Sequence, residues 1–262
     1  MAVIGRDAIV ASLCAALEPL PYVDALVEGG AAAWGRIDAW SDVDLNVFTE
    51  DGKVGDVFPV VEDALRALSP IEHVFVAHGP SEGAMQQKFY RLERAGPFLL
   101  VDLAVLPRSE KEKFLEPEIH GNSIVYFDKT GLTKVPPLDR AAFDQKVRER
   151  LARLRDQTEM FHAFVEKELN RGNLIEAIDN YRAYVCGPLL ELLRMKHGPL
   201  HHTFRTRYVH RELPREAVRR YQALLFVRDA DDLARKYREA LAWLRDVLAQ
   251  LAAAPNAVGT EK

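Results

Sequence analysis

Asp42 and Asp44 enter an apolar segment as Ser41-Asp42-Val43-Asp44-Leu45, and Asp102 lies alone inside Leu99-Leu100-Val101-Asp102-Leu103-Ala104-Val105. Side chains alternate faces along a strand, so residues 42 and 44 share one face, with Cα atoms about 6.5–7 Å apart. A carboxylate within an apolar strand is costly unless a cation or a hydrogen-bonding partner meets it. If the two strands are neighbours, three carboxylates converge. An oxygen-only donor set of that kind suits Mg²⁺ bridging nucleotide phosphates. Just before the pair, Gly29-Gly30-Ala31-Ala32-Ala33-Trp34-Gly35 is a small-residue turn that lets backbone N–H groups approach a ligand closely. Taken singly, Asp-x-Asp is most often a solvated strand start and Asp102 an edge-strand surface residue. The combination turns the reading toward chemistry.

Other residues invite weaker readings. Lys88 and Arg91 stand three apart in Gln86-Gln87-Lys88-Phe89-Tyr90-Arg91-Leu92, which reads as a helix bearing a basic pair that reaches phosphate or simply faces solvent. Thr203-Phe204-Arg205-Thr206-Arg207-Tyr208 mixes basic and aromatic residues in an expected loop suited to phosphate contact or base stacking. Gly79-Pro80-Ser81-Glu82-Gly83 matches G-x-S-x-G, with Asp102 and His120 following in hydrolase order. The α/β units such an enzyme needs on both sides are missing, so the segment reads as a Gly/Pro loop. His197 and His201 are four apart, but Gly198-Pro199 breaks the helix that would align them. Gly30-x4-Gly35 lacks the Lys-Ser/Thr of a P-loop, and Asp128 reads as a turn residue.

The elements that must position these groups follow from periodicity. Ile9, Leu13, Ala16 and Leu17 predict a first helix over about 5–19. Strands are expected at Tyr22–Glu28, Val43–Thr49, Ile71–Ala77, Leu99–Leu106 and Ile124–Phe127, with a helix at Val57–Leu68. After Pro136-Pro137 the texture changes to a long helical run from Asp139 to about Leu169, then helices at about 174–196, 214–227 and 230–253. The fold expected is an α/β (α+β) domain on a short mixed sheet over 1–137, followed by an all-helical bundle over 138–262. The tail from Ala252 to Lys262 reads as frayed.

The 262 residues are 48% hydrophobic and 28% charged, which excludes disordered, collagen-like and disulfide-stapled classes. The apolar run from Phe98 to Leu106 is too short to span a bilayer and contains Asp102. The first twenty residues lack a basic leader, and the two cysteines, Cys14 and Cys186, read as reduced thiols, so a cytoplasmic location is expected. The net charge of −4 divides into −9 over residues 1–138 and +5 over 139–262. No strongly basic, aromatic-interleaved stripe invites nucleic acid.

Gly30-x4-Gly35-Arg36-x-Asp38-x-Trp40-Ser41-Asp42-Val43-Asp44-Leu45, followed by Val101-Asp102-Leu103, resembles the polymerase-beta-like nucleotidyltransferase superfamily and, within it, the aminoglycoside (antibiotic) nucleotidyltransferases. The resemblance implies two Mg²⁺ ions and a nucleoside triphosphate, ATP in the first instance, held by Gly30, Ala31 and Ser41. Asp42 and Asp44 match the metal-binding pair. Asp102 matches the third carboxylate, which serves as a metal ligand, as the base for the acceptor hydroxyl, or as both. The partners implied are the nucleotide and a small polar acceptor, possibly aminoglycoside-like, enclosed between the two domains. Lys88, Arg91, Arg205 and Arg207 are the candidates for phosphate contact. One position departs from the pattern: Ala31 stands where the family has Ser, which removes a hydroxyl donor from the turn. That departure keeps a second reading open, a nucleotide- or partner-binding protein of this fold with weakened or lost activity, and a protein or RNA acceptor is a third.

Overall fold

The computed structural model describes residues 3–79 and 85–253. The chain divides into two compact units, Met1–Pro137 and Leu138–Lys262. Ser81 and its G-x-S-x-G neighbours from Pro80 to Gly83, and the tail from residue 254, lie outside the described residues.

The first unit opens with α1 (Arg6–Leu17) and continues through β1 (Val23–Glu28), a single helical turn α2 (Gly30–Ala33), β2 (Val43–Thr49) and α3 (Val54–Leu68). There follow β3 (Ile71–His78), β4 (Gln86–Leu92), β5 (Leu100–Pro107), the short α4 (Pro117–His120) and β6 (Ile124–Asp128). The six strands form one mixed sheet in the order β3-β4-β5-β2-β1-β6. Among the described strand pairs of this sheet, β2 and β5 run parallel and the others antiparallel.

Alternation sorts the side chains of this sheet. Val43, Leu45 and Val47 of β2 and Val101, Leu103 and Val105 of β5 pack with Ile9, Leu13 and Leu17 of α1 and Val57, Val61 and Leu65 of α3. The helices contribute positions four apart, which is one face of each. The even-numbered residues of β2 and β5 therefore lie on the other face of the sheet, where Ala25, Val27, Phe48, Ala104, Leu106 and Leu115 form a smaller core.

Strand β4 corrects a sequence expectation: Gln86–Leu92, read as a helix bearing Lys88 and Arg91 three apart, is not helical. It lies instead between β3 and β5, paired to both. Strand preference depends largely on neighbours, and here the two flanking strands overrule the local pattern.

The second unit is all helical: α5 (Arg140–Phe161), α6 (Ala163–Arg171), α7 (Leu174–Tyr181), α8 (Gly187–His197), α9 (Val209–Glu212), α10 (Arg215–Leu225) and α11 (Ala230–Ala253). Asp139 caps α5 by accepting the Ala142 N–H at 3.0 Å. The long run expected over 139–169 is divided at His162, whose ring meets the Tyr237 hydroxyl at 2.7 Å. The helix expected over 174–196 contains a π-helical turn at Arg182–Cys186. Pro188 is the cause: it has no N–H to offer the preceding turn, and the Gly187 N–H reaches back five residues to the Arg182 carbonyl. No described helix is long and apolar enough to cross a membrane.

Candidate active site

The parallel register pairs Asp44 of β2 directly with Asp102 of β5. Adjacent strands are about 4.8 Å apart, so the two carboxylates lie side by side on the face opposite α1 and α3. Asp42 precedes β2 by one residue and shares that face by alternation. Three charges gathered in this way act on one another. Burial comes first, followed by the negative charges of Asp102, Asp42 and Glu28, and together they push the Asp44 carboxyl up to about 6 against the pull of Arg6. Asp42 is raised by burial. Asp102 is raised by burial and by Asp42, against a lowering hydrogen bond from Gln87.

The small-residue turn meets the same carboxylates. Gly30 takes φ +53°, which a glycine adopts without strain. A Cβ at this position would lie 1.8 Å from Asp44 Oδ2, so the glycine lets backbone press against the carboxylate. The Gly29 N–H donates to the Asp44 carbonyl at 2.9 Å and fastens the turn to β2. Gly30 and Ala31 open the helical turn α2, and first-turn amides have no carbonyl partner within their own helix. Ser41 shapes the approach to β2 through its hydroxyl, which accepts the Asp38 N–H and donates to Asp38 Oδ1, both at 2.9 Å.

Several residues around the acids escaped the sequence reading. Glu28 ends β1 with 0% exposure, its Oε1 lying 2.5 Å from Arg6 Nη1 and its Oε2 accepting the Tyr126 hydroxyl at 2.5 Å. The other amine of Arg6 donates to the Asp42 carbonyl at 2.8 Å. Gln87 donates from Nε2 to Asp102 Oδ1 at 2.6 Å, which orients the third carboxylate. Glu28 offered a weaker signal than Asp102: it ends a strand, after Ala25-Leu26-Val27, that already carries Asp24. Gln87 carried none, because its role depends on β4 being a strand.

The other basic candidates separate. Lys88 pairs with Leu103, so it lies on the helix-covered face, where its ammonium meets Glu62 at 2.9 Å and the Phe58 ring at 4.5 Å. Lys88 thus leaves the candidate site: three residues along a helix share a side, whereas three along a strand face opposite ways. Arg91 pairs with Leu100 and stays on the carboxylate face, one row toward Asp42. Arg205 and Arg207 belong to the helical unit. Their carbonyls accept from the buried Arg194 guanidinium, and the Arg207 guanidinium lies 4.7 Å from the centre of the Phe204 ring. Asp128 is a turn residue that accepts the N–H groups of Thr130, Gly131, Leu132 and Thr133.

Among the described residues, no group of three or more His, Cys, Asp and Glu side chains is disposed to hold a metal ion as it stands. The donor chemistry is nonetheless that of a hard cation: carboxylate oxygens only, with like charges crowded together and one of them raised to about 6 by burial and its neighbours. A cation would offset both the burial of the charge and the repulsion from its neighbours that raise it.

No family model matches the sequence, and no curated protein matches it either. Among solved structures the chain is similar to an aminoglycoside 6-adenyltransferase from Bacillus subtilis, with 14% identity, a TM-score of 0.39, and coverage of 98% of this chain and 94% of that one. It is similar to a nucleotidyltransferase-like protein from Exiguobacterium sibiricum, with 14% identity, a TM-score of 0.41, and coverage of 96% and 77%. It is also similar to a spectinomycin adenyltransferase from Enterococcus faecialis solved with ATP and spectinomycin, with 9% identity, a TM-score of 0.40, and coverage of 95% and 100%.

Proposed function

We propose that the first unit catalyses nucleotidyl transfer, moving a nucleoside monophosphate from a nucleoside triphosphate, ATP in the first instance, to a hydroxyl of a small polar acceptor of aminoglycoside-like character. The observation that carries this reading is the side-by-side placement of Asp44 and Asp102 beside Asp42, with Gly30 pressed against Asp44. An arrangement that concentrates negative charge at a cost in ionisation is what a cation- and phosphate-handling site needs, and a purely structural site avoids it.

Asp42, Asp44 and Asp102 would hold Mg²⁺, which would supply positive charge to the attacking and leaving oxygens of an in-line displacement. The protein's own groups do the rest. Backbone amides of Gly30 and Ala31 receive phosphate oxygens. Gln87 fixes Asp102 through Oδ1 and leaves Oδ2 to take the acceptor proton. The acceptor oxygen forms its bond to the α-phosphorus as the bond to the bridging oxygen breaks, and pyrophosphate departs with the electron pair. Arg6 keeps Asp42 and Glu28 in place from α1.

The test is pyrophosphate release from labelled ATP with Mg²⁺ and a panel of hydroxylated acceptors, run beside Asp42→Asn and Asp102→Asn. Release by the wild type that either substitution abolishes supports the enzyme. Tight ATP binding without turnover across the panel replaces it with the nucleotide-binding reading that Ala31 suggests.

A further inference from the structure

The row that joins Asp44 to Asp102 continues across the sheet. Phe89 of β4 is the register partner of Asp102, and Phe75 of β3 is the partner of Phe89. Asp44, Asp102, Phe89 and Phe75 therefore stand abreast on one face, each about 4.8 Å from the next. The two rings pack with centroids 6.3 Å apart, and Phe75 is 65% exposed. Phe75 sits on the sheet's edge strand, and nothing in the core requires an aromatic residue there. Large exposed apolar groups beside convergent polar ones mark binding surfaces.

From this geometry we infer that Phe75 and Phe89 form the platform on which the acceptor lies, and that the acceptor is a rigid hydroxylated ring compound with an apolar face. The inference deepens the nucleotidyltransferase reading and rests on it for direction. Gly30 and Ala31 lie beyond Asp44 on the β1 side of the row, and the phenyl rings lie beyond Asp102 on the β4 and β3 side. In-line displacement puts the entering and leaving oxygens on opposite sides of the phosphorus. With phosphates drawn to the turn, the hydroxyl arrives from the phenyl side, past the Asp102 oxygen that takes its proton. A ring's apolar face gains by covering phenyl surface. Its hydroxyls then meet a polar rim, because Arg91 and its register partner His73 occupy the next row on the same face. A flexible polyamine has charge to offer the acids but no face to offer the rings.

The experiment titrates spectinomycin, myo-inositol and methyl α-glucopyranoside into the full-length protein by calorimetry, with and without Mg²⁺ and a non-hydrolysable ATP analogue, using spermidine as the ringless comparison. At least one ring probe is expected to bind and to resist displacement by spermidine. Phe75→Ala and Phe89→Ala should each weaken it about three- to tenfold, leave the affinity for the ATP analogue within twofold, and keep the wild-type circular dichroism; Phe75→Tyr should restore binding. The inference is overturned if no ring probe binds a protein that binds the analogue, or if the substitutions leave ring affinity unchanged. Loss of affinity for the analogue instead makes the platform a nucleobase site. Loss of self-association alone makes it a contact between copies. Phenylalanine-dependent ring binding in a protein that binds no Mg²⁺-ATP analogue retains the platform and discards the catalytic reading.

Discussion

Two regions of the protein, a cluster in the helical unit and the carboxylate row of the first unit, treat sequestered charge differently. In the helical unit, Arg194 is 1% exposed and spends its guanidinium on the Arg205 carbonyl at 2.7 Å, the Arg207 carbonyl, and Glu212 Oε2 at 2.8 Å. Asp232, also buried, meets Arg235 at 2.6 Å and Lys236 at 2.9 Å, and these hydrogen bonds hold its carboxyl far below the usual carboxylate range. In the first unit, Asp44 is half-buried among other acids and is pushed the opposite way, up to about 6. Paired charge fixes a fold, whereas unpaired charge of one sign is tolerated where something else is to be bound. The sign of the shift separates architecture from site.

That contrast breaks most visibly if the carboxylates are neutralised. Asp44→Asn or Asp102→Asn should lower the rate of pyrophosphate release by roughly 10²–10³-fold or more, as loss of a central electrostatic group does, while the thermal midpoint holds or rises. Arg194→Leu should do the reverse. Removing one member of a buried charged cluster costs about 3–5 kcal/mol, read as a lower urea midpoint, because the Arg205 and Arg207 carbonyls and Glu212 lose their common donor. A stable Arg194→Leu protein, or an unfolded Asp44→Asn protein, would abolish the distinction.

A smaller effect has a definite pH dependence. The folded Asp44 carboxyl titrates near 6 against an ordinary value of 3.8. The folded state therefore holds this proton more tightly than the unfolded one. Below about pH 4 both states are protonated and ionisation carries no penalty; the penalty grows as pH rises to about 6 and stays constant above. The ceiling for such an interval is about 3 kcal/mol, and partial solvent access brings the expectation to about 1–2 kcal/mol. Asp44→Asn should thus match wild-type stability at pH 4 and exceed it at pH 7 in chemical denaturation. Saturating Mg²⁺ should close the gap at pH 7, since the cation compensates the burial of the Asp44 charge and the repulsion from its neighbours.

The two units also differ in how much of each is legible in the sequence. β2 and β5 are apparent because alternation and apolar runs are local signals, and the acids within them stand out against that background. β4 is not, because Gln86–Leu92 becomes a strand only through its neighbours. With β4 hidden, the role of Gln87, the removal of Lys88 to the other face and the row through Phe89 and Phe75 were hidden too. The helices were visible as periodic stretches, but their interruptions were less so: Pro188 announces the π-helical turn, whereas His162 depends on Tyr237, seventy-five residues away. Residues that act through their own strand could be read; residues that act through a register partner could not.

The smallest effect tests the departure in the turn. Ala31 is half-buried in the first turn of α2, next to the glycine that touches Asp44. Ala31→Ser places a hydroxyl beside the two backbone amides assigned to phosphate. One added hydrogen bond to an anion is worth about 1 kcal/mol net after desolvation, so the affinity for a Mg²⁺-ATP analogue should rise about fivefold. The stability of the apo protein should scarcely change, since serine is only slightly less helix-favouring than alanine. If affinity rises and turnover does not, the turn limits binding and the carboxylate row limits chemistry. An affinity that stays flat would place the phosphates away from Gly30 and Ala31, and with them the side from which the acceptor must approach.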